Sequence, residues 1–238
     1  MNFGGKNILV VGGSSGIGLS VVELLHAHKA NTYVISRSVA DRWPTEVRHL
    51  QADVTENLEA LETFLPEQLH GIVYAVGSIT LKPFNRLSTD DFLRDYQLNV
   101  LGAARIIQYA LKALKNAAGS SVVLISSVAA KIGMPYHASI AAAKGAVEGM
   151  AISLAAELAA QKIRVNVVSP SLTNTPLAEK LLNSAEKQEA SAKRHPLGRY
   201  GQPEDISSLI AFLLSDESSW MTAQVIGVDG GKGSLKIS

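Results

Sequence analysis

Cysteine is absent from this chain of 238 residues, which excludes disulfides, thiolate nucleophiles and cysteine-based metal sites. A strong charge of either sign is also missing, because the formal net charge at pH 7 is +1, and this predicts no nucleic-acid partner. No uninterrupted apolar run approaches the ~20 residues that span a bilayer, and the start of the chain does not have the pattern of a signal segment. We therefore expect a cytoplasmic protein that binds no membrane and no metal.

Apolar residues are plentiful: 47% of the chain is hydrophobic and 18% is charged. A globular chain of this length can bury roughly 70–75% of its extended surface. Apolar runs of strand length alternate with segments of helical periodicity, without a linker or a break in composition. This alternation predicts an α/β fold in which one doubly wound, Rossmann-like parallel sheet of about seven strands carries helices on both faces, as a single domain over residues 1–238.

A glycine-rich segment follows the first predicted strand, Lys6–Val11. It reads Gly-Gly-Ser-Ser-Gly-Ile-Gly over residues 12–18 and leads into a predicted helix at Leu19–His28. Glycines let the backbone approach an anion, and the N-terminus of a helix favours negative charge. An ordinary βα turn can also be rich in glycine, but the flanking elements favour a dinucleotide-phosphate site formed by Gly12, Ser14, Ser15, Gly16, Ile17 and Gly18.

The second predicted strand, Asn31–Ser36, is followed by Arg37 and Ser38. In a Rossmann unit this strand end meets the adenosine ribose, where an acidic residue would hold the 2′-hydroxyl group. No acidic residue is present here, whereas Arg37 can pair with a 2′-phosphate and Ser38 can donate a hydrogen bond. The alternative is that Arg37 is a solvated surface residue. The charge pattern favours NADP (NADPH) over NAD.

Two later strand ends carry further candidates for cofactor contact. Asp53 follows the short predicted strand Val47–Ala52; it either accepts from the adenine amino group or caps a helix that begins at Glu56. Gly77 closes the predicted strand Gly71–Val76, and its missing side chain would suit a backbone that lies against the cofactor.

The main catalytic candidates lie between Ser126 and Lys144. This stretch begins where the apolar run Ser121–Ile125 ends, crosses a loop, and enters an alanine-rich helix that contains Lys144. A hydroxyl group at a strand end and a lysine one turn into a helix are suited to work on a carbonyl group. Ser126 and Ser127 should point to opposite faces if the strand continues, so only one of them serves the site, and we favour Ser127.

Asn99 lies among apolar neighbours in a long predicted helical region, Thr89–Asn116. A polar amide on an apolar face needs partners, so Asn99 is either a satisfied structural residue or one that orders water beside a catalytic lysine. The segment Leu172–His195 is more polar and has the character of a substrate lid, but it gives no anchor for a defined ligand. Right-handed crossovers would bring all these strand ends to one crevice.

Together these residues resemble the short-chain dehydrogenase/reductase family over essentially the whole chain. The turn matches the Gly-x-x-x-Gly-x-Gly pattern of that family, residues 53–54 match its adenine-contacting pair, and segments 164–170, 198–205 and 228–231 also match. The resemblance implies catalytic roles for Asn99, Ser127 and Lys144. It also implies cofactor contacts by Asp53, Val54, Ala75, Gly77, Lys144, Pro170, Thr173 and Thr175.

Two positions depart from the family pattern. The family has Tyr-x-x-x-Lys, whose tyrosine exchanges a proton, but residue 140 here is isoleucine, four positions before Lys144. Ser171 stands where the family commonly has glycine. Tyr136 and His137 are too far from Lys144 along a continuous helix, but a loop that turns back could bring His137 to the substrate as an acid or base. Either residue can also be a pocket wall.

Two functions remain open. The first is an NADP(H)-dependent oxidoreductase acting on a carbonyl or alcohol substrate, in which Ser127 binds the substrate oxygen, Lys144 binds the nicotinamide ribose and feeds a proton relay through Asn99, and water or His137 delivers the proton. The second is an NADP(H)-binding protein without turnover, serving as a redox sensor or an assembly partner. The family resemblance also implies a homo-oligomer, either a tetramer or a dimer.

Overall fold

The structure, a computed structural model, describes residues 1–236. Its strands are β1 (Asn7–Val11), β2 (Asn31–Ser36), β3 (Arg48–Gln51), β4 (Gly71–Tyr74), β5 (Ser120–Ile125), β6 (Ile163–Pro170) and β7 (Val225–Val228). They form one parallel sheet in the order β3-β2-β1-β4-β5-β6-β7. The chain adds β2 and β3 on one side of β1 and then, from β4 onward, adds strands on the other side. This change in strand order is the doubly wound pattern, so the predicted α/β, Rossmann-like fold is confirmed.

The central strands are apolar along most of their length because both faces of the sheet are covered. Val10 in β1, for example, pairs with Val34 of β2 on one side and Val73 of β4 on the other, and all three side chains are fully buried. Since all strands run in one direction, every carboxyl end lies on the same edge of the sheet, and the loops that follow the strands meet there.

Helices cover both faces of the sheet. They are α1 (Gly16–Ala27), α2 (Leu61–Phe64), α3 (Thr89–Tyr96), α4 (Gly102–Asn116), α5 (Ala138–Leu158), α6 (Glu179–Leu182), α7 (Ala185–Lys193) and α8 (Pro203–Leu214). One apolar cluster joins the sheet to α1 and α8 through residues such as Val22 and Ile210. The other joins it to α4 and α5 through residues such as Ile106 and Val147.

The long helix α5 is buried along one stripe and not on several sides. The stripe includes Ile140, Val147 and Ala155 and packs against β6. The opposite face is open within one chain, where Ile152 is 50% exposed. With its short continuation to residue 161, this helix is long and apolar enough to cross a membrane by length and composition alone, a test that the core helix of a soluble protein also passes.

The predicted helical region Thr89–Asn116 is present but is not one regular helix. A π-helical turn at Gln97–Leu101 separates α3 from α4 and carries Asn99. Turns of this kind are rare and are frequent at functional sites, because the wider ring displaces side chains from the regular helical face.

The interpretation of Asp53 as the cap of a helix beginning at Glu56 is wrong. Residues 54–56 form a turn, and α2 starts at Leu61. The carboxylate of Asp53 accepts hydrogen bonds from the backbone N–H and the hydroxyl group of Thr55, at 2.9 and 2.7 Å. This local turn uses the carboxylate oxygen that would otherwise cap a helix.

Candidate active site

Two adjoining cavities open at the carboxyl edge of the sheet. The smaller, of about 430 Å³, lies among the loops that follow β1, β2, β3 and β4. The larger, of about 630 Å³, lies among the loops after β4, β5 and β6 and beneath the lid, which we define as residues 172–195. The cavities share a wall formed by Ile17, Ala75, Val76, Gly77, Thr175 and Leu177. One cleft therefore runs from the glycine turn to the segment that contains Lys144.

This cleft brings together most of the residues that the sequence predicted for a site. The smaller cavity is lined by Gly12, Ser14, Ser15, Gly16, Ile17, Arg37, Ser38, Asp53, Val54, Ala75, Gly77 and Thr175. The larger cavity is lined by Ser127, His137, Lys144, Pro170 and Thr173, among others. Two predicted residues, Gly18 and Asn99, line neither cavity. They pack against residues that do: Gly18 against Gly12, and Asn99 against Gly77.

The glycine turn is held close to the end of β1. Gly12 and Gly16 have φ angles of 85° and 53°, in the region that side chains disfavour. A Cβ atom on Gly18 would lie 2.1 Å from the carbonyl oxygen of Gly12, so only glycine allows this contact. The close packing places the N-terminus of α1, with its free backbone N–H groups, at the smaller cavity, where it suits an anion.

Hydrogen-bond donors gather at the outer end of the smaller cavity. The Arg37 side chain is 81% exposed, and its Nη1 lies 3.9 Å from Oδ2 of Asp53, a long ion pair. The Ser38 hydroxyl lies 3.5 Å from that of Ser14. The pKa of Asp53 is lowered mainly by the hydrogen bond from the backbone N–H of Thr55 and next by that from the Thr55 hydroxyl. The Asp53 carboxylate is therefore charged at neutral pH.

Lys144 is the buried cation of the cleft. Its side chain is 6% exposed, and Nζ donates to the carbonyl oxygen of Ile125 at the end of β5, at 2.8 Å. Burial lowers the pKa of Lys144 to about 8, although the carboxylate of Asp95 opposes the shift. A lysine with this pKa is mostly charged at pH 7 and can still release a proton.

The side chains of Asn99 and Lys144 both approach Gly77. The Nδ2 atom of Asn99 donates to the Ser78 hydroxyl at 3.0 Å and to the carbonyl oxygen of Asp95 at 2.8 Å. Its Oδ1 atom is buried and has no hydrogen-bond partner among residues 1–236. A Cβ atom on Gly77 would lie 3.3 Å from both Asn99 Oδ1 and Lys144 Nζ. Because an unpaired buried acceptor is costly, this point is suited to hold a donor from a ligand or from water.

Asp95 is a fully buried carboxylate that sequence reasoning missed. Its Oδ1 accepts from the hydroxyls of Ser78 and Thr80 at 2.7 and 2.9 Å, and its Oδ2 accepts from the Ser139 hydroxyl at 2.6 Å. It is also the charge that opposes the pKa shift of Lys144. A signal was available, because Asp95 lies four residues before Asn99 and therefore close to it along a helix.

The two neighbouring serines have different partners. Ser126 is buried, and its hydroxyl donates to Oε1 of Glu148 at 2.8 Å. The Ser127 oxygen accepts from the N–H of Ala129 at 3.2 Å, which leaves its own proton free to be donated. Both serines lie at the larger cavity, but only Ser127 has a donor to offer a ligand there.

Ile140 lies one helical turn before Lys144, and both line the larger cavity. His137 immediately precedes α5 and lines the same cavity. Its Nδ1 lies 2.7 Å from the carbonyl oxygen of Pro135; because a carbonyl only accepts, Nδ1 carries the proton and Nε2 is the nitrogen left for a ligand. Tyr136 also borders the cavity, but it is 59% exposed.

Ser171, the second departure from the family pattern, attaches the end of the lid to β6. His195 is buried, and its Nδ1 donates to the carbonyl oxygen of Ser191 at 2.7 Å. Its Nε2 therefore accepts from the Ser171 hydroxyl, at 2.8 Å. Burial, the largest of several influences, lowers the pKa of His195 and so favours this neutral form. A glycine at position 171 could not make this bond.

The sheet and cleft define a doubly wound α/β protein whose site lies at the carboxyl edge of the strands, beside a phosphate-type glycine turn. A family model described as Enoyl-(Acyl carrier protein) reductase matches residues 11–232. A tropinone reductase homologue from Arabidopsis thaliana is 36% identical, over 95% of this chain and 92% of its own. The chain belongs to the short-chain dehydrogenase/reductase family.

Solved structures agree in fold over nearly the whole chain. A short chain dehydrogenase family protein from Francisella tularensis is 32% identical with a TM-score of 0.90, covering 97% of this chain and 99% of that one. A tyrosine-to-phenylalanine variant of ElxO with NADPH bound is 26% identical with a TM-score of 0.88, covering 97% of this chain and 99% of that one.

Proposed function

We propose that the protein is an NADP(H)-dependent oxidoreductase that interconverts a carbonyl group and an alcohol. The observation that carries the proposal is the convergence of Lys144 Nζ and the unpartnered Oδ1 of Asn99 on Gly77, in the wall that the two cavities share. This arrangement places a buried cation and a free acceptor where a ligand in one cavity would meet a ligand in the other. A protein that only binds a nucleotide has little need of it.

The smaller cavity has the groups that NADPH requires. The N-terminus of α1 suits the pyrophosphate, Arg37 and Ser38 suit a 2′-phosphate, and the charged carboxylate of Asp53 suits the adenine amino group. By family resemblance, Thr173 and Thr175 would hold the nicotinamide end. When bound, NADPH supplies the hydride. The related ElxO variant was solved with NADPH bound, which supports the same cofactor here.

The residues of the larger cavity would handle the oxygen and the proton. The free O–H of Ser127 would donate to the substrate carbonyl oxygen and stabilise the negative charge that develops there. Within residues 1–236, Lys144 Nζ donates a single hydrogen bond, to the carbonyl oxygen of Ile125, so its other N–H groups can bind ribose hydroxyls or water. A water beside Asn99 Oδ1 would carry the proton from Lys144 to the substrate. We propose this route because Ile140, at the position of the family tyrosine, has no proton to give.

The proposed proton source predicts a pH dependence. Reduction consumes a proton, so the rate should fall as pH rises through about 8, where Lys144 loses its charge. The carboxylate of Asp95 raises the pKa of Lys144, so Asp95→Asn should move this fall to lower pH. Initial rates of NADPH oxidation across pH 6–10 (a range of about two units on each side) provide the measurement. His137→Gln should leave the pH at which the rate falls unchanged. If the fall in rate is absent in this variant, His137 is the proton donor instead of Lys144.

Replacing Arg37 by alanine should narrow the preference for NADPH over NADH. A hydrogen bond to a charged group contributes about 1.5–3 kcal/mol, so the affinity for NADPH should fall roughly 10–100-fold while that for NADH changes little. Fluorescence titration with each dinucleotide measures both affinities. Arg42→Ala is the control, because Arg42 is exposed and pairs with Glu23 outside the cleft. Equal wild-type affinities for the two dinucleotides would exclude the role of Arg37.

The proposed function is tested by NADPH oxidation against a panel of ketones, aldehydes and enones, beside a direct measurement of NADPH affinity. The absence of one acid–base group costs typically ~10²–10⁴ in rate, so slow turnover is the expected result. The hydrocarbon side chain of Ile140 beside Lys144 favours the second candidate, an NADP(H)-binding sensor or assembly partner. Tight binding of NADPH, with no NADPH oxidation in the presence of any substrate of the panel, would support this second candidate.

We also propose a homo-oligomer. Four large apolar side chains on α3, the π turn and α5 are between 44% and 51% exposed within one chain, namely Leu93, Tyr96, Leu101 and Ile152. The three elements contact one another, and exposed apolar side chains on neighbouring elements are typical of subunit interfaces. Light scattering of the purified protein distinguishes a tetramer from a dimer and from a monomer.

A further inference from the structure

The walls of the larger cavity carry positive charge that the reaction does not use. Besides Lys144, four cationic side chains line it: Lys180, Lys187, Arg194 and Lys232. No aspartate or glutamate is among the described residues that line this cavity. None of the four forms a salt bridge within residues 1–236, although ten other ion pairs are present there. The described residues that line the cavity therefore form a cationic side with no carboxylate among them.

Two of these cations are held in place by the lid itself. The Nζ atom of Lys187 donates to the carbonyl oxygen of Lys180 and to Oδ1 of Asn183, each at 2.8 Å. The Nη2 atom of Arg194 donates to the Ser191 hydroxyl at 2.9 Å. These bonds restrict the side chains but leave further N–H groups on each cation unused, so less conformational entropy is lost when an anion binds.

Lys232 brings positive charge next to the reacting end of the cavity. Lys232 is half-buried and lines the cavity together with the exposed Arg194. Burial, the largest influence, and the charge of Arg194 both lower the pKa of Lys232. A Cβ atom on the following residue, Gly233, would lie 3.6 Å from Val128, the neighbour of Ser127 in sequence. The carboxylate of Asp229 opposes this pKa shift and is the smallest of the three influences on Lys232; its two oxygens accept from the backbone N–H groups of Gly231 and Gly233.

The remainder of the cavity wall is apolar and includes Ile79, Leu81, Met134, Leu172 and Leu181. A neutral apolar ligand would leave the cations unpaired, and a small polar anion would leave the apolar wall unused. We infer that the substrate is an anionic carbonyl compound, with an apolar body and a carboxylate or phosphate group bound by Lys187, Arg194 and Lys232; this rests on the proposed oxidoreductase function. On this inference the lid would supply an anchor for the substrate, which was not predicted from the sequence.

The phosphates of the cofactor are the alternative partner for these cations. The geometry favours the substrate, because none of the four lines the smaller cavity, where Arg37 and the glycine turn lie. The experiment separates the two by measuring NADPH affinity in every variant. An Arg194→Gln/Lys232→Gln double variant that loses NADPH affinity as much as it loses preference for an anionic substrate would overturn the inference.

Matched ketones test the charge of the substrate. The full-length protein with NADPH is assayed with 5-oxohexanoate against its methyl ester, and with 5-oxohexyl phosphate against 6-hydroxyhexan-2-one. Within at least one pair kcat/KM should be roughly tenfold or more higher for the anion, as expected when about 1.4 kcal/mol or more of ion pairing is gained. The two pairs distinguish a carboxylate from a phosphate. Equal kcat/KM values within both pairs would overturn the inference.

Variants locate the anion site. Arg194→Gln/Lys232→Gln should bring the ratio of anion to neutral kcat/KM close to one, and Lys187→Gln alone should lower it. Lys193→Gln is the matched control for Lys187→Gln, because each removes one lysine charge from the lid. Lys193 pairs with Glu189 and does not line the cavity, so the ratio should be unchanged in this control. A ratio that survives the double variant, or falls as far in the control, would overturn the inference.

A binding measurement separates failure of the inference from failure of the proposed function. Calorimetric titration of the NADP⁺-loaded protein with 5-oxohexanoate, with its ester and with 5-oxohexyl phosphate requires no turnover. Binding of an anion that the double variant weakens, without any ketone reduction, would support the anion site and reject the oxidoreductase function. Reduction of ketones with no preference for the anion in rate or in binding would support the oxidoreductase function and reject the anion site.

Discussion

Ile140→Tyr should raise the rate of carbonyl reduction roughly 10²–10⁴-fold above that of the wild type, the range that one acid–base group contributes. Positions 140 and 144 are one turn apart on α5, and both side chains line the larger cavity. A phenol at position 140 would lie near the ammonium group of Lys144, which favours the phenolate and so lowers the pKa of the phenol. Initial rates of NADPH oxidation with one ketone, measured together with NADPH affinity, give the result.

Ile140→Phe is the matched control for this gain. Phenylalanine adds the same ring without the hydroxyl group, and it carries the same overpacking cost of about 1–3 kcal/mol at this buried position. Any difference between the two variants therefore reports proton transfer and not a change in cavity shape. Equal rates in both variants, with NADPH still bound, would contradict the proposed geometry of Ser127, Lys144 and Asn99 and would favour the function without turnover.

Gly18→Ala should reduce NADPH affinity by more than roughly 100-fold, because losing even two charge-assisted hydrogen bonds of about 1.5–3 kcal/mol each costs that much. The new Cβ atom would lie 2.1 Å from the carbonyl oxygen of Gly12 and 2.8 Å from its carbonyl carbon, and backbone atoms cannot move aside as a flexible side chain can. The turn must therefore shift away from the N-terminus of α1. Titration of the variant with NADPH measures the loss.

Gly149→Ala provides a control with the same chemical change. Gly149 lies within α5, and a Cβ atom there would meet nothing within 4 Å. Alanine is favoured over glycine in a helix interior by about 0.5–1 kcal/mol, so this variant should bind NADPH normally and unfold at a slightly higher temperature. Affinities of the Gly18→Ala and Gly149→Ala proteins within a few-fold of each other would show that the turn tolerates a side chain and that the steric argument is wrong.

The sheet could be read from the sequence because its determinants are local. The predicted second strand, Asn31–Ser36, has the bounds of β2, and the alternation of apolar runs with helical periodicity predicted the order of elements correctly. The loops after parallel strands share one edge, so the sequence could also predict that Arg37 and Ser127 lie near one cleft. The prediction failed at Asp53, where the short side chain accepts hydrogen bonds from Thr55 in a local turn instead of capping a helix.

The electrostatics of the cleft could not be predicted from the sequence. Asp95 accepts from residues as far along the chain as Ser139, and Lys144 is buried against a strand end 19 residues before it, so neither environment is visible in a local pattern. The cations of the lid likewise have the pattern of an ordinary polar surface in the sequence, and only the fold brings Lys232, which follows the lid by more than 35 residues, to the same cavity. The sheet and the glycine turn follow from the amino-acid sequence, because they depend on hydrophobic periodicity and on the positions of glycines. Charge, burial and the free acceptor of Asn99 depend on which distant residues meet, and the fold alone decides that.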